Sequence, residues 1–311
     1  MVVLNDSRNI LVLGGSGQIG SDVRIKSETL NELNFYFPSS KIIDIRNKKL
    51  LNNYLIDNKI GLVLNLAAYT NVDQAENNRS LCSAINNNGP RILSELTFKN
   101  KVGLIHFSTD YVFGKKPHKI RLANDKVAPV NFYGLTKAKG ENEVLKNSDL
   151  SIVIRLASVF GIHGKNFVRS IIRLLLRNNS INVVSDQKIS MTSSYEISNN
   201  IEYLIELYRK KRFEKNRILH FTNKGYTTWY KVAKVVKNEI ESILEKKLSA
   251  KIKPIKYKEW NAIANRPLDS RLKVNFHKLE NNNIFLPDWE SSVRRDVGIL
   301  LPIIIEDLKN E

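Results

Sequence analysis

A tyrosine and a lysine four residues apart, Tyr133 and Lys137, are the pair with the clearest chemical potential in this sequence. In a helix this spacing places both side chains on one face, one turn apart. A phenol normally titrates at about pH 10, and a neighbouring ammonium group favours the phenolate, which lowers the pKa of the phenol. The pair could therefore deliver a proton to a substrate. The same spacing is common without a catalytic role, so its position in the fold must decide.

The polar residues that follow a predicted strand favour a catalytic role for the pair. The run at 102–107 is followed by Ser108, Thr109 and Asp110. In an open parallel sheet, ligands bind at the carboxyl ends of the strands. We therefore expect Thr109 to hydrogen-bond a carbonyl oxygen, and Asp110 either to orient the substrate or to cap the next turn. Ser108 is predicted to be structural.

A glycine-rich segment lies close to the start of the chain. Residues 14–20 read Gly-Gly-Ser-Gly-Gln-Ile-Gly and directly follow a short apolar run. Glycines permit a tight turn and a close approach of pyrophosphate to the backbone, and the following helix N-terminus presents free N–H groups to the anion. At a first strand-to-helix junction, this pattern predicts a dinucleotide-binding turn.

The end of the second predicted strand indicates which dinucleotide is bound. NAD enzymes usually place Asp or Glu there to hold the ribose hydroxyls. Residues 37–41 read Phe-Pro-Ser-Ser-Lys, which offers Ser39, Ser40 and a lysine but no carboxylate. This favours NADP(H), with NAD(H) as the alternative. Ser39 and Ser40 could also be ordinary turn residues.

Short apolar runs alternate with helical stretches through the first half of the chain. Strands are predicted at 10–13, 34–37, 62–66, 102–107 and 151–156, and a helix begins near Tyr133. Continuous apolar strands separated by helices indicate a parallel sheet covered on both faces. We predict an α/β fold of Rossmann type, with a doubly wound parallel sheet.

The second half of the sequence is less regular. Strands are predicted at 181–185 and 218–221, on either side of a helix at about 197–211, and an amphipathic helix at 227–244. We predict that residues 1–160 plus about 181–222 form the NADP-binding Rossmann domain. A smaller, interwoven α+β substrate domain would comprise about 161–180 plus 223–311.

Composition narrows the class of protein. The chain has 311 residues, of which 42% are hydrophobic, and a formal net charge of +18. Its basic residues are scattered, which favours an ordinary solvated surface, with attraction of anionic ligands as the alternative, over a nucleic-acid-binding protein. The single cysteine, Cys82, the poor signal peptide at Met1–Asp6 and the lack of an apolar run of about 18 residues predict a cytoplasmic protein without a membrane partner. The five histidines lack the spacing of a metal site, so none is expected.

These features together resemble the dTDP-4-dehydrorhamnose reductase family, a member of the extended short-chain dehydrogenase/reductases, over nearly the whole chain. The motifs that carry the resemblance lie at 17–20, 66–76, 108–113, 133–137 with 140–141, 164–168, 186–187, 266–267 and 286–289. Their order is highly specific for the family and less so for one substrate.

The resemblance implies NADPH-dependent reduction of the C4 keto group of a nucleotide-activated deoxysugar, in the synthesis of cell-surface polysaccharide precursors. It implies that Thr109, Tyr133 and Lys137 form a catalytic triad. Tyr133 would protonate the C4 oxygen, and Lys137 would also hold the nicotinamide ribose. Asp110, Asn166 and Arg266 would contact the substrate, with Arg266 at the diphosphate or, alternatively, in a surface ion pair.

The expected cofactor contacts combine the glycine turn, the two serines and positions that the resemblance implies. They are Gly14, Gly17, Gln18, Ile19, Gly20, Ser39, Ser40, Asp44 near the adenine, Ala67, Ala68, Tyr69, Tyr133 and Lys137.

Two departures from the family pattern fall in the expected sugar pocket. Ser158 stands where the family usually has tryptophan, which removes a stacking surface. Residues 188–192 read Lys-Ile-Ser-Met-Thr where the family continues with glycine, serine, proline and threonine. The reaction type is therefore better specified than the sugar. Trp229 and Trp289 are predicted to be core anchors.

Two other functions remain open at this point. A sugar-nucleotide epimerase or dehydratase of the same superfamily usually retains NAD, and a dehydratase needs an acid/base pair where this chain has Asp110 and Tyr111. A non-catalytic NADP-binding regulatory subunit is the other alternative, which the intact Thr109, Tyr133 and Lys137 oppose. The expected partner is a nucleotide-diphosphate keto-sugar and not a nucleic acid, and a homodimer is left open.

Overall fold

The computed structural model describes residues 7–115, 118–210, 217–275 and 286–311. The amino-terminal segment Met1–Asp6 and His277, both considered in the sequence analysis, lie outside the described residues. Within the described ranges, none of the helices combines the length and the apolar character that crossing a bilayer requires.

The strands within these ranges are β1 Asn9–Leu13, β2 Asn34–Tyr36, β3 Leu62–Asn65, β4 Gly103–Thr109, β5 Ser151–Leu156, β6 Val159–Phe160, β7 Ser180–Val184, β8 Thr192–Ser193, β9 Ile218–His220 and β10 Lys251–Ile255. The α-helices are α1 Gln18–Ser27, α2 Lys48–Asp57, α3 Val72–Asn77, α4 Arg79–Ser83, α5 Gly89–Lys99, α6 Phe132–Asn147, α7 Phe167–Arg177, α8 Ser194–Asn199, α9 Ile201–Arg209, α10 Trp229–Ile243 and α11 Trp289–Lys309.

A six-stranded parallel sheet forms the centre of the first part of the molecule, in the order β2-β1-β3-β4-β5-β9. Each predicted strand of the first half lies within two residues of an observed one. The predicted α/β class with a doubly wound parallel sheet is confirmed. The strand order reverses between β1 and β3, and such a reversal opens a crevice at the carboxyl ends of the strands.

Both faces of this sheet are buried, which is why its strands read as continuous apolar runs. In β1, Ile10 and Val12 pack into one core together with α1, α8 and α9. The alternate residues Leu11 and Leu13 pack into a second core with α2, α5 and α6. A side-chain period of two thus distributes one strand between two helical layers.

A separate core holds the second part of the molecule together. Residues of α7, α10 and α11 pack around β7, which pairs in parallel with β10. Thr228 caps α10 by accepting a hydrogen bond from the backbone N–H of Lys231 at 3.3 Å, so the predicted helix at 227–244 is observed with slightly shorter bounds.

One predicted domain boundary differs from the observed packing. The sequence-based prediction places residues from about 181 to 222 as one block in the Rossmann domain. Helices α8 and α9 and strand β9 do pack with the first part, but Ile181 and Val183 of β7 are buried in the second core. The reason is the pairing of β7 with β10, a strand nearly seventy residues later that the sequence pattern did not reveal.

Candidate active site

Glycines close the turn between β1 and α1. Gly14 has φ of +82°, and a Cβ there would lie 2.7 Å from the backbone nitrogen of Ala67. A Cβ on Gly20 would lie 2.4 Å from the carbonyl oxygen of Gly14. Gly17 caps α1 and has no side chain to occupy the first N–H groups of the helix. These groups and the helix dipole are therefore available to an anion, which fits the pyrophosphate of a dinucleotide.

A cleft of about 890 Å³ opens in front of this turn. The predicted cofactor residues that line it are Gly14, Gly17, Gln18, Ile19, Gly20, Ser40, Asp44, Ala67 and Ala68. Gly164 and Lys165, from the loop between β6 and α7, line it from the other side. The cleft is therefore long and flanked by both parts of the molecule, as a dinucleotide requires.

Two predicted cofactor residues, Ser39 and Tyr69, line neither this cleft nor the recess next to it, which Tyr133 and Lys137 line. Ser39 is exposed, and its carbonyl oxygen accepts hydrogen bonds from the N–H groups of Ile42 and Ile43, both at 3.0 Å. Ser39 thus serves a turn, which was the alternative interpretation. Tyr69 exchanges backbone hydrogen bonds with the side-chain amide of Asn86 at 2.8 and 3.0 Å. The Tyr69 ring packs against the small hydrophobic cluster that contains Tyr133, so Tyr69 contributes to the packing around Tyr133.

Arg46 lines the cleft beside Asp44, and the sequence analysis did not identify it. The Nε atom of Arg46 lies 2.9 and 3.0 Å from the two carboxylate oxygens of Asp44. These hydrogen bonds lower the pKa of the Asp44 carboxyl. The spacing Asp-Ile-Arg was visible in the sequence, but its position in the cleft depends on the loop between β2 and α2. A guanidinium group on the wall of this cleft can bind a phosphate group through two parallel hydrogen bonds.

An inner recess of about 300 Å³ continues the cleft, because both are lined by Ile19, Leu66, Ala68, Thr70 and Val159. Thr109, Asp110, Tyr133 and Lys137 all line this recess. The structure thus brings together the predicted catalytic residues and Asp110 at the end of β4. The side chain of Asn131 caps α6 by accepting a hydrogen bond from the N–H of Gly134 at 2.7 Å, which fixes the start of the helix that carries Tyr133.

The acid–base properties of the pair differ from the sequence-based expectation. Burial raises the pKa of Tyr133, and the hydrogen bond with Thr109 only partly opposes this. The predicted lowering of the Tyr133 pKa by Lys137 is wrong for this structure, because burial of the phenol is the largest effect on it. Burial also lowers the pKa of Lys137, to about 8, and its Nζ donates a hydrogen bond to the carbonyl oxygen of Phe107 at 2.8 Å.

Thr109 and Asp110 are linked by a direct hydrogen bond. The Thr109 hydroxyl donates to Oδ1 of Asp110 at 3.0 Å and accepts the N–H of Tyr111 at 3.2 Å. Burial raises the pKa of the Asp110 carboxyl to about 7. Asp110 is the first residue of the short 3₁₀ turn Asp110–Val112 and lines the recess, but the side chain that caps this turn is that of Thr109, so the capping role considered for Asp110 is wrong.

The two remaining predicted substrate residues are engaged within the protein. Asn166 caps α7 by accepting the N–H of Arg169 at 3.0 Å, and its amide donates to the carbonyl oxygen of Gly161 at 2.8 Å. Arg266 forms an ion pair with Asp73 at 2.7 Å, but only 12% of the Arg266 side chain is exposed, so this is not the surface ion pair of the alternative interpretation. Its guanidinium group also lies 4.7 Å from the ring centre of Trp260. Neither residue lines the cleft or the recess as these are defined above.

An aromatic side chain lines the recess even though tryptophan is absent at position 158. Ser158 has φ of +42° and lines the recess together with Trp229, the first residue of α10. Trp229 also packs on Phe167 with 4.5 Å between ring centres, so it serves the core, as predicted, and the recess at once. Ile189 and Met191, from the second departure, are buried in the second core.

His106 is a further residue whose position the sequence analysis did not recognise. The spacing of the five histidines predicts no metal site, and it indicates no other role for His106. In β4 its Nε2 atom lies 3.5 Å from Nζ of Lys137, and its Nδ1 atom lies 2.9 Å from the side-chain nitrogen of Asn65. The only sequence signal was its place in the strand that ends in Ser-Thr-Asp.

The chain is similar to known proteins over most of its length. The family model described as the RmlD substrate binding domain matches residues 8–300. The dTDP-4-dehydrorhamnose reductase of Sinorhizobium fredii is 31% identical over 295 residues, which cover 94% of this chain and 97% of that protein. The dTDP-4-keto-6-deoxy-D-glucose reductase of Streptomyces niveus is 30% identical over 230 residues, which cover 72% and 76%.

A solved structure extends the comparison to the cofactor. The crystal structure of dTDP-4-dehydrorhamnose reductase from Bacillus anthracis in complex with NADP matches with a TM-score of 0.83 and 28% identity, covering 94% of this chain and 99% of that one. The chain belongs to the family of the RmlD substrate binding domain, that of the dTDP-4-dehydrorhamnose reductases.

Proposed function

We propose that this chain is an NADPH-dependent reductase of the C4 keto group of a nucleotide-activated deoxysugar, acting in the cytoplasm on precursors of cell-surface polysaccharides. The observation that carries the proposal is that Thr109, Tyr133 and Lys137 line one recess, which continues into the cleft at the glycine turn. The names of the relatives and the NADP in the structure from Bacillus anthracis support the same reaction.

The cleft offers partners for each part of the cofactor. The N-terminus of α1 and the glycine turn would hold the pyrophosphate, and Arg46 and Ser40 would receive the 2′-phosphate that distinguishes NADP from NAD. Lys137, at the far end, would hold the nicotinamide ribose. A bound NADPH would supply the hydride that reduces the C4 carbon.

Tyr133 would supply the proton that completes the reduction. Its O–H bond breaks as an O–H bond forms at the C4 oxygen, whose developing alkoxide is more basic than the phenolate left behind. Thr109 lies beside the Tyr133 phenol, and its hydroxyl, on turning away from Oδ1 of Asp110, would donate a hydrogen bond to the same oxygen. Because both groups are buried, their interactions with the reacting oxygen are stronger than they would be in water.

We also propose that the second part of the molecule is the substrate domain. It contributes Trp229 to the wall of the recess and Lys165 to the cleft, so a sugar nucleotide would lie between the two parts. Tyr111 distinguishes this proposal from a dehydratase. Burial raises the pKa of its phenol further above the usual value, so it cannot take the part of a catalytic carboxylate.

The proposal is tested by incubating the protein and NADPH with each member of a panel of nucleotide 4-keto-6-deoxy sugars, dTDP-linked sugars first. Reduction of a sugar is followed as the loss of NADPH absorbance. Tyr133→Phe is expected to lose at least about 100-fold in kcat while the Kd for NADPH changes little, since only the proton donor is removed. Tyr54→Phe, which removes a hydroxyl outside the site, is the matched control. Lys137→Met should lower both kcat and cofactor affinity.

Full turnover by the Tyr133 variant would refute the proposed proton donor. NADPH binding without reduction of any sugar in the panel would favour the regulatory subunit instead.

A further inference from the structure

We propose that Asn65 and His106 are positioning residues that aim an imidazole N–H group at Lys137 and so make the lysine ready to release its proton. Neither residue lines the cleft or the recess, and both are fully buried beneath them. The inference rests on the proposed reductase function for its consequence, but its geometric basis can be tested separately.

The orientation of Asn65 determines which nitrogen of His106 carries the proton. The Oδ1 atom of Asn65 accepts a hydrogen bond from the N–H of Ala67 at 3.2 Å, which directs the amide nitrogen toward His106. That nitrogen lies 2.9 Å from Nδ1 of His106. An amide nitrogen can only donate, so Nδ1 must accept, and in a neutral ring the proton must then be on Nε2.

Burial keeps the ring of His106 neutral. Desolvation lowers the pKa of His106 well below its usual value, and the charge of Lys137 lowers it further. A neutral imidazole has one N–H group, and the contact with Asn65 places it on Nε2. This N–H group faces Nζ of Lys137 across 3.5 Å.

The valences of the lysine nitrogen fit this arrangement only when it is neutral. An ammonium group has three N–H bonds and no lone pair, so an N–H group of His106 pointing at it opposes donor to donor. A neutral amine has two N–H bonds and a lone pair. One N–H donates to the carbonyl oxygen of Phe107 at 2.8 Å, the lone pair accepts from His106, and the second N–H is left for the recess.

Other groups near Lys137 also shift its pKa. Burial lowers the pKa of the lysine to about 8, in the same direction as the proposed effect of His106. The charge of Glu141 on α6 and the thiol of Cys82 on α4 raise it. Glu141 is itself paired with Arg155 at 2.7 Å, which limits its influence. The other titratable groups that line the recess are Tyr133, Asp110 and Tyr111.

The arrangement has a consequence for the catalytic cycle. After Tyr133 has given its proton to the C4 oxygen, the phenolate must be reprotonated. An N–H bond of the Lys137 ammonium breaks, an O–H bond forms on Tyr133, and the lone pair that appears on Nζ accepts the N–H of His106. Solvent then returns a proton to the lysine. The Asn65–His106 pair thus stabilises the state that follows this transfer.

Three substitutions test the inference through the pH dependence of kcat/KM for NADPH oxidation. His106→Gln keeps an N–H group near the position of Nε2, whereas His106→Met removes it at similar volume. In His106→Met, the ammonium group should persist to higher pH, so the alkaline limb should move up by roughly 0.5–1 pH unit, and by less than about 0.2 in His106→Gln. Near neutral pH, kcat should fall about 3- to 10-fold in the methionine variant.

Asn65→Asp keeps the size of the side chain at position 65 and should move the proton of the His106 ring from Nε2 to Nδ1. A carboxylate accepts from Nδ1–H of His106, which turns the lone pair of Nε2 toward Lys137 and favours the ammonium. The alkaline limb should again move upward. Because an added charge near Lys137 would act in the same direction, the comparison of glutamine with methionine at 106 decides between the two causes. If His106→Met does not fold, as judged by thermal unfolding, His106→Leu, which also lacks an N–H group and adds no charge, takes its place in the comparison with His106→Gln.

A direct titration of Lys137 separates this inference from the proposed function. The ¹³Cε signal of Lys137, assigned by its loss in Lys137→Met, reports the lysine pKa without turnover. The pKa should rise in His106→Met and not in His106→Gln. Equal pKa values in the two variants, or an activity loss that is the same at every pH, would overturn the positioning role. Absence of sugar reduction by the unaltered enzyme would overturn the proposed function alone.

Discussion

The guanidinium group of Arg266 is held by both carboxylate oxygens of Asp73, at 2.7 and 3.0 Å. The two residues lie 193 positions apart, so this contact fastens the loop after β10 to helix α3 of the first part. The Tyr257 hydroxyl accepts the backbone N–H of Arg266 at 2.8 Å and supports the same loop. Arg266 is therefore oriented before any substrate arrives, and only its N–H groups that face away from Asp73 could reach a diphosphate.

Asp73→Asn should weaken substrate binding without affecting the cofactor. The substitution keeps the size of the side chain but removes the charge that orients Arg266. We expect KM for the keto-sugar nucleotide to rise about 5-fold, since a partly exposed ion pair contributes about 1 kcal/mol. Steady-state kinetics and NADPH titration measure the two effects separately. Glu32→Gln, which breaks the exposed pair with Arg8, is the control. Loss of NADPH affinity equal to the change in KM would count against this role.

Arg46 should determine the preference for NADP over NAD. If it receives the 2′-phosphate, Arg46→Ala removes a charge-assisted contact, and the Kd for NADPH should rise about 10- to 100-fold. The Kd for NADH should change little, because NADH has no phosphate at that position. Fluorescence titration with both cofactors checks this, with Arg8→Ala as a control at an exposed arginine. Equal weakening of both cofactors would show that Arg46 acts through the loop and not through the phosphate.

The sheet and the glycine turn were predictable because their signals are local. A strand buried on both faces reads as one apolar run. Glycine is required where the turn lies against the chain just after β3, at Gly14, and where α1 lies against the turn, at Gly20. The N-cap of α6 at Asn131 and the Tyr133–Lys137 spacing are likewise contained in a few consecutive residues.

What the sequence did not reveal depends on contacts between distant segments. Trp229 reaches the recess from α10, seventy-one positions after Ser158, and no periodicity predicts that meeting. The direction of the pKa shift of Tyr133 depends on how completely the recess is closed, which is a property of packing. His106 gave no signal because an isolated histidine in an apolar strand is usually a core residue, and its significance comes from Lys137 on another element.

Two glycine-to-alanine substitutions should have opposite effects. In Gly20→Ala the new Cβ would lie 2.4 Å from the Gly14 carbonyl oxygen, so α1 must move away from the turn. We expect a loss of about 1–3 kcal/mol in the free energy of unfolding and at least about 10-fold in NADPH affinity. Gly298 lies in α11, and a Cβ added there would meet none of the described atoms within 4 Å beyond the backbone of its own helix. Gly298→Ala should therefore stabilise the protein by about 0.5–1 kcal/mol and leave NADPH affinity unchanged.

Urea unfolding and NADPH titration of both variants distinguish the two effects. Unchanged cofactor affinity in Gly20→Ala would mean that the turn tolerates a wider spacing than the structure allows.

Asp110 should make the stability of the protein depend on pH. Its carboxyl has a pKa of about 7 in the folded state because burial disfavours the charge, against a usual value of 3.8. The folded state therefore retains a proton that the unfolded chain releases, and this stabilisation is complete below the unfolded pKa. It is lost as the pH rises through the folded pKa. The wild-type protein should thus lose up to about 4 kcal/mol from this group between roughly pH 4 and pH 7.

Asp110→Asn isolates this contribution, because an amide resembles the protonated carboxyl and does not titrate. Asp296, whose pKa burial raises to about 6, is present in both proteins, so its effect cancels in the difference. The free energy of unfolding of the variant minus that of wild type should increase as the pH rises from about 4 to about 7, because only the wild type loses this stabilisation. Urea unfolding of both proteins without cofactor measures that difference at each pH. A constant difference would mean that Asp110 remains ionised in the folded protein, held by Thr109 and Ser270 more strongly than burial opposes it.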